Sequence, residues 1–275
     1  MRIAVHQART GIDPAANALR LVEVIDQAAD GGAVMLFTPE MSNLLDKDRD
    51  RGRPKLRDEA GDPVLAAVRD AAARRGIWVQ LGSIALAGER EDGRLVNRAF
   101  LIDDGGAILA RYDKMHLFDV DLPNGESWRE SASYAPGDAP IVAETPVGAV
   151  GLSICYDLRF PDLYRMLTGA GAKVVAVPAA FTVPTGAAHW HVLLRARAIE
   201  AGVFVVAAAQ SGRHEDGRET YGHSLVIDPW GELLLDMEDA EGVGFAELDL
   251  GRVDEVRARL PAIRHRRSIS EPIRA

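Results

Sequence analysis

The chain has 275 residues, enough for one large α/β domain or two small ones. Hydrophobic residues make up 47% and charged residues 27%, the profile of an ordinary globule rather than a disordered or fibrous chain. A formal charge of −9 excludes nucleic acid or an anionic membrane as the main partner.

Arg2 to Ala8 reads as a first strand. Asp13 and Pro14 supply an N-cap and a first helical residue, and Gly31-Gly32 closes that helix. Ala33 to Phe37 is a buried strand that runs into Thr38-Pro39-Glu40. The polar stretch from Met41 to Gly61 breaks the pattern and reads as a functional loop or a flexible excursion. A second helix starts at Asp62-Pro63, ends at Arg75-Gly76 and leads into a strand from Ile77 to Leu86.

The second half echoes the first. Val34 to Pro39 matches Val174 to Pro178 as an apolar strand ending at proline. The helix end Ala71 to Gly76, followed by Ile77-Trp78-Val79, parallels Ala198 to Gly202, followed by Val203-Phe204-Val205. The hairpin Asn97 to Gly106 resembles Gly222 to Gly231, and in both an apolar strand ends in Ile-Asp before a glycine-containing turn. Three echoes in the same order predict two similar α-β-β halves packed sheet against sheet with helices outside. The result is a four-layer αββα sandwich of the α/β class. No linker is rich enough in Pro, Gly or Ser to divide it, so residues 1–275 are read as a single domain.

Chemistry concentrates at strand ends. Cys155 follows the apolar run Val150 to Ile154, and Phe160-Pro161-Asp162 then opens a helix. A cysteine at such a turn can expose its sulfur beside helix-terminal N–H groups, which lower its pKa and can bind an oxyanion. The competing reading is a buried structural cysteine. Glu40 ends a buried strand, at a rim where active sites form, and Lys114 follows a hairpin strand. Singly, each is as well explained as a solvated side chain; together they fit one mechanism. His189 and His191 form an H-x-H pair, but on a helix i and i+2 point to different faces, so no metal is expected. H-E-x-x-H, a phosphate loop, a dinucleotide fingerprint and a G-x-S-x-G elbow are all missing from the sequence, and no cofactor is expected.

The combination of Pro39-Glu40, Lys114-Met115-His116-Leu117-Phe118-Asp119 and Gly151 to Pro161 resembles the nitrilase (carbon–nitrogen hydrolase) superfamily over almost the whole chain. The stretches Thr185 to Glu200, Val205 to His214, Tyr221 to Ser224 and Asp228 to Gly231 look like its Nit branch, most similar to deaminated-glutathione amidases and less so to ω-amidases. The resemblance implies a nitrilase-like fold and a cysteine-dependent amidase that passes through a thioester. Cys155 would be the nucleophile, Glu40 the general base, and Lys114 with the Tyr156 N–H the oxyanion donors. A second glutamate of the family maps onto Glu130, where it would orient Lys114; Glu126 is nearby but does not match that motif. Arg159 would bind a substrate carboxylate, unless it pairs with Asp157 or Asp162, and Phe181 and Thr185 would line the pocket.

The implied substrate is a small amide bearing a carboxylate, deaminated glutathione first. Alternatives are α-ketoglutaramate, an N-carbamoyl amino acid or, in a different class, binding by an inactive scaffold. One cysteine permits no intrachain disulfide, Met1-Arg2-Ile3-Ala4-Val5 lacks a signal peptide's apolar stretch, and no run approaches the roughly 20 apolar residues of a membrane span. A cytoplasmic protein is therefore expected, without nucleic-acid or membrane partners. Family members are dimers or larger, which makes residues 260–275 a candidate arm at a subunit interface. The basic cluster Arg264-His265-Arg266-Arg267 within it reads as a solvated face or a subunit contact.

Overall fold

Every apolar strand of the first half finds a counterpart in the second. In the computed structural model, which describes residues 1–121, 125 and 127–274, the first half runs β1 (Arg2–Gln7), α1 (Pro14–Asp30), β2 (Met35–Phe37), α2 (Arg49–Gly52), α3 (Pro63–Arg75), β3 (Trp78–Leu86), β4 (Val96–Ile102) and β5 (Ile108–Asp113). A short ribbon, β6 (Asp119–Asp121) and β7 (Ser127–Arg129), leads to β8 (Val142–Ala143). The second half runs β9 (Val150–Leu152), α4 (Pro161–Gly169), β10 (Val174–Ala176), α5 (Val183–Ala201), β11 (Phe204–Ala207), the ribbon β12 (Ser211–Arg213) and β13 (Glu219–Tyr221), β14 (Leu225–Ile227), β15 (Leu233–Asp236), β16 (Gly242–Glu247) and α6 (Gly251–Arg259). Glu126 lies outside the described residues, as does Ala275.

The two six-stranded sheets have orders β16-β1-β2-β3-β4-β5 and β15-β14-β11-β10-β9-β8. In each, three parallel strands are followed by two antiparallel ones, and an antiparallel strand closes the other edge. The duplication read from the hairpins is thus a duplication of sheet topology. Period-2 alternation sorts the faces. Ile3, Val5, Met35, Phe37, Ala99 and Leu101 share one core with the second sheet. Their neighbours Ala4, Leu36, Phe100 and Ile102 pack outward against α1 and α3. Leu163, Leu167, Trp190 and Leu194 bring α4 and α5 onto the second sheet, completing the αββα layering.

Helix ends obey local chemistry. Asp13 accepts from the Ala15 N–H, Asp62 from the Leu65 N–H, and Pro14 and Pro63 occupy first turns where no intrahelical N–H bond is lost. Gly76 and Gly202 end α3 and α5 in the left-handed conformation. The stretch from Met41 to Gly61 is packed at its start, where Ser42, Asn43, Leu44 and Leu45 are buried and Asn43 bonds the backbone of Ala85 in both directions; the rest, which holds α2, is mostly exposed.

The two sheets approach closely at Gly82. A Cβ there would stand 1.9 Å from the Thr38 carbonyl oxygen and 2.6 Å from the Pro178 side chain. Thr38 and Pro178 belong to the echoed strand ends that follow β2 and β10. Only glycine permits this approach, which draws the corner carrying Glu40 toward the corner that holds Cys155. Among the described residues, no helix is long and apolar enough to cross a membrane.

Candidate active site

Four strand ends converge on one cavity of about 90 Å³, lined by Glu40, Lys114, Phe118, Glu130, Cys155, Tyr156, Ala180, Phe181, Thr182 and Thr185. Glu40 leaves β2 after Pro39, and its carboxylate accepts from the Ala180 N–H at 2.9 Å, just past the matching corner after β10. Lys114 leaves β5, and its Nζ lies 2.9 Å from Glu40 Oε1 and 2.9 Å from Glu130 Oε2. Cys155 follows β9 as the first residue of a single 3-10 turn, and its N–H donates to the Pro178 carbonyl at 2.8 Å. The Cys155 side chain and the Glu40 carboxylate line the same cavity, close enough for the carboxylate to raise the thiol's pKa.

Cys155 adopts φ +50°, a left-handed conformation that is rare for a residue with a side chain. That strained corner is held by Asp157, which is fully buried. Its carboxylate accepts from the Ile154 N–H (2.8 Å), the Tyr112 hydroxyl (2.7 Å) and the His116 N–H (3.0 Å), and also pairs with His116 Nδ1 at 2.7 Å. One carboxylate therefore ties the cysteine turn to β5 and to the segment carrying Lys114. His116 in turn stacks on Phe160 at 3.6 Å.

Burial opposes charge on Glu40, but the Lys114 ammonium beside it, with bonds from Lys114 and Ala180, holds its pKa below the ordinary carboxylate value. Burial opposes charge on Lys114 too, yet Glu130 and Glu40 keep its ammonium protonated far into base. Burial and the Glu40 carboxylate both push the Cys155 thiol well above its ordinary value, although Lys114 pulls the other way. The sequence expectation of an exposed sulfur with a lowered pKa is therefore corrected: Cys155 is 8% exposed and rests as a thiol facing a carboxylate base. The Glu40 pair stabilises the fold above the ordinary carboxylate pKa, and that contribution is lost as pH falls through the lowered value.

Glu130 begins a short 3-10 turn after β7, and its Oε2 also accepts from the Phe118 N–H at 2.7 Å. Phe181 and Thr185 line the cavity, as expected, and Tyr156 follows the cysteine along its wall. Arg159 does not line it. Its guanidinium stands over the rings of Phe181 (5.5 Å) and Tyr156 (5.9 Å), which do. Neither Asp157 nor Asp162 is its partner; among the described residues its one polar contact is His189 Nδ1 at 3.4 Å.

The H-x-H pair divides as the helix requires. His189 faces Arg159, whereas His191 shares Asp236 with His223. The ligand atoms of His191, His223 and Asp236 lie within 4.8 Å of one another, but none of the three lines the catalytic cavity.

Sequence reasoning missed Asn97, whose side-chain amide donates to Glu40 at 3.0 Å and reaches Glu130 at 3.5 Å. The signal was a buried polar residue near the start of β4, before its apolar run Ala99 to Ile102. It also missed Gln210, which donates to the Glu40 carbonyl at 2.9 Å, and Thr182 on the cavity wall.

Comparison with known proteins shows the family. The family model for carbon-nitrogen hydrolases matches residues 2–258. A relative from Yersinia enterocolitica named deaminated glutathione amidase is 37% identical over 269 residues, covering 98% of this chain and 93% of the relative. The NitFhit protein of C. elegans superposes with a TM-score of 0.89 at 37% identity; the match covers 97% of this chain and 65% of that longer one. An amidase from Nesterenkonia sp. AN1, in a structure showing Michael addition of acrylamide at its active-site cysteine, superposes with a TM-score of 0.77 at 28% identity, covering 95% of this chain and 98% of that chain. The chain belongs to the carbon–nitrogen hydrolase family and is a hydrolase of the amidase kind.

Proposed function

We propose that the protein hydrolyses the amide of a small α-keto acid, with deaminated glutathione as substrate, through a thioester on Cys155. The observation that carries this reading is a thiol, a carboxylate and an ammonium, Cys155, Glu40 and Lys114, lining one cavity, with the carboxylate and ammonium 2.9 Å apart. Glu40 takes the thiol proton as sulfur attacks the amide carbon. The resulting oxyanion accepts from Lys114 Nζ and from the Tyr156 N–H, one of the first amides of a turn and so without an intrahelical partner. Glu40 then gives its proton to the departing amine, and the thioester remains. A water deprotonated by Glu40 attacks the thioester, and the second tetrahedral adduct collapses to the acid and the free thiol. Glu130 and Asn97 hold Lys114 and Glu40 in register throughout.

Arg159 supplies the anchor for the α-carboxylate. Among the described residues no acidic side chain pairs with its fork, and its guanidinium stands over the rings of Phe181 and Tyr156, both of which line the cavity. The acyl half of deaminated glutathione and that of α-ketoglutaramate are the same keto acid, so both engage it. A neutral nitrile engages nothing there.

Arg159→Ala therefore lowers kcat/KM for both keto-acid amides by about a hundredfold, the scale of a charge-assisted pair lost, and leaves a simple nitrile equally poor. A kcat/KM panel over deaminated glutathione, α-ketoglutaramate, N-carbamoyl amino acids and nitriles makes the comparison. Faster turnover of nitriles or carbamoyl substrates than of amides contradicts the assignment, whereas an unchanged preference in Arg159→Ala removes the clamp alone.

Residues 1–275 form one hydrolase domain in this reading, acting in the cytoplasm as a homodimer or larger assembly. The segment from residue 260 onward is its intersubunit arm, because Leu260, Ile269 and Ile273 are 53%, 89% and 95% exposed.

A further inference from the structure

Beside the catalytic cavity, and sharing Thr182 with it, lies a far larger one of about 760 Å³. Its cations are Lys47, Arg49, Arg53, Arg129 and Arg218, against two carboxylates, Asp46 and Glu219. A cationic cavity on a chain of net charge −9 calls for an anionic occupant. It also bears on which amine leaves, since ammonia released from α-ketoglutaramate would leave such a cavity empty.

Most of these charges are already engaged. Arg129 pairs with Asp121 at 2.9 Å, Arg49 Nη2 donates to the Arg129 carbonyl at 2.8 Å, and Arg53 Nη2 donates to the Gly93 carbonyl at 2.6 Å. Asp46 is held by Arg51 at 2.8 Å. Arg218 and Lys47 differ. Arg218 Nε donates to Asp216 Oδ2 at 2.9 Å, and its guanidinium lies 5.1 Å over the Trp128 ring. Among the described residues its two terminal nitrogens have no hydrogen-bond partner, and neither has Lys47 Nζ.

Both cations are set by the same group. The Asp216 side chain has no solvent exposure; it accepts from the Lys47 N–H at 2.8 Å and from the Arg218 N–H at 2.9 Å. Gly217, at φ +82°, links Asp216 to Arg218, and a Cβ there would stand at ordinary contact distance, 3.5 Å, from Lys47 Nζ, which places the ammonium beside this turn. A guanidinium fixed on one edge and one face, with a free ammonium lining the same cavity, suits a carboxylate.

We propose that Arg218, with Lys47, binds a second carboxylate, carried by the amine half of the substrate, so that the enzyme selects amides acidic at both ends. This deepens the reading above and rests on it. The keto-acid carboxylate sits at Arg159, the scissile amide at Cys155, and the terminal carboxylate of the departing dipeptide at Arg218. Arg218 and Lys47 are specificity residues outside the reacting centre.

The test compares deaminated glutathione with its C-terminal carboxamide, using α-ketoglutaramate as a third substrate that has no distal group. In the wild type, kcat/KM favours the free acid over the carboxamide by about tenfold or more, the worth of a hydrogen-bonded charge. Arg218→Gln collapses that ratio to near unity, and Arg218→Lys restores part of it. Lys47→Met lowers the ratio partway; Lys47 is exposed and its side chain has no hydrogen-bond partner among the described residues, so this variant reads out even if Arg218→Gln folds poorly. A wild-type ratio near unity, or a ratio that neither variant moves, overturns the proposal. If that happens while the keto-acid amides are still cleaved, the function proposed above stands. Failure to cleave deaminated glutathione and α-ketoglutaramate alike removes both.

Discussion

Cys155→Ala lowers kcat by at least about a thousandfold while the fold stays intact, because the only covalent route to the thioester is lost. The substitution removes one sulfur from a wall position and leaves the backbone bond to Pro178 in place. Alanine carries the same Cβ as cysteine, so the left-handed φ of +50° is no more strained than before. Cys155→Ser is nearly as inactive. Glu40, whose pKa lies below the ordinary carboxylate range, is too weak a base to take a proton from an alcohol. Steady-state turnover and a thermal melt on the same preparations check both halves of the prediction. A variant with a normal melt that retained about a tenth of wild-type activity would remove the nucleophile assignment.

The position of this cysteine was legible in the sequence for a physical reason: an apolar run followed by Phe160-Pro161 leaves little choice but strand, corner and helix. The duplication was legible too, because each half must repeat the same inward and outward alternation to cover its own sheet. What could not be read was the state of the thiol. The pattern suggested exposure beside helix amides, whereas the tertiary structure buries the sulfur in a cavity that it shares with a carboxylate. Asn97 and Gln210 escaped notice because their partners lie 57 and 170 residues away. Likewise, the basic cavity is assembled from segments around residues 47, 129, 183 and 218 that share no periodicity.

Glu40→Gln and Lys114→Ala each lower kcat by at least about a hundredfold, the scale of a lost general base or oxyanion donor. The double variant is little worse than the poorer single one, since either loss disables the same bonded pair. Lys114→Ala carries a second penalty. It leaves Glu40 and Glu130, side chains only 5% and 14% exposed, facing each other without their shared cation. Breaking such a buried pair costs about 3–5 kcal/mol, visible as a lower denaturation midpoint. Glu40→Gln keeps a neutral hydrogen-bonding side chain and destabilises less. With the base held below its ordinary pKa, wild-type kcat/KM persists into mild acid and falls only as Glu40 protonates. Losses that multiplied in the double variant would mean that the two residues act separately.

The most direct test of the central claim is to stop turnover of deaminated glutathione with acid in the first milliseconds and weigh the intact protein. The account predicts a mass raised by the keto-acid acyl half, mapped to the peptide containing Cys155 and released by hydroxylamine, with neither adduct nor product from Cys155→Ala. An acyl group found on any other residue, or amine release from Cys155→Ala within about tenfold of the wild-type rate, contradicts it.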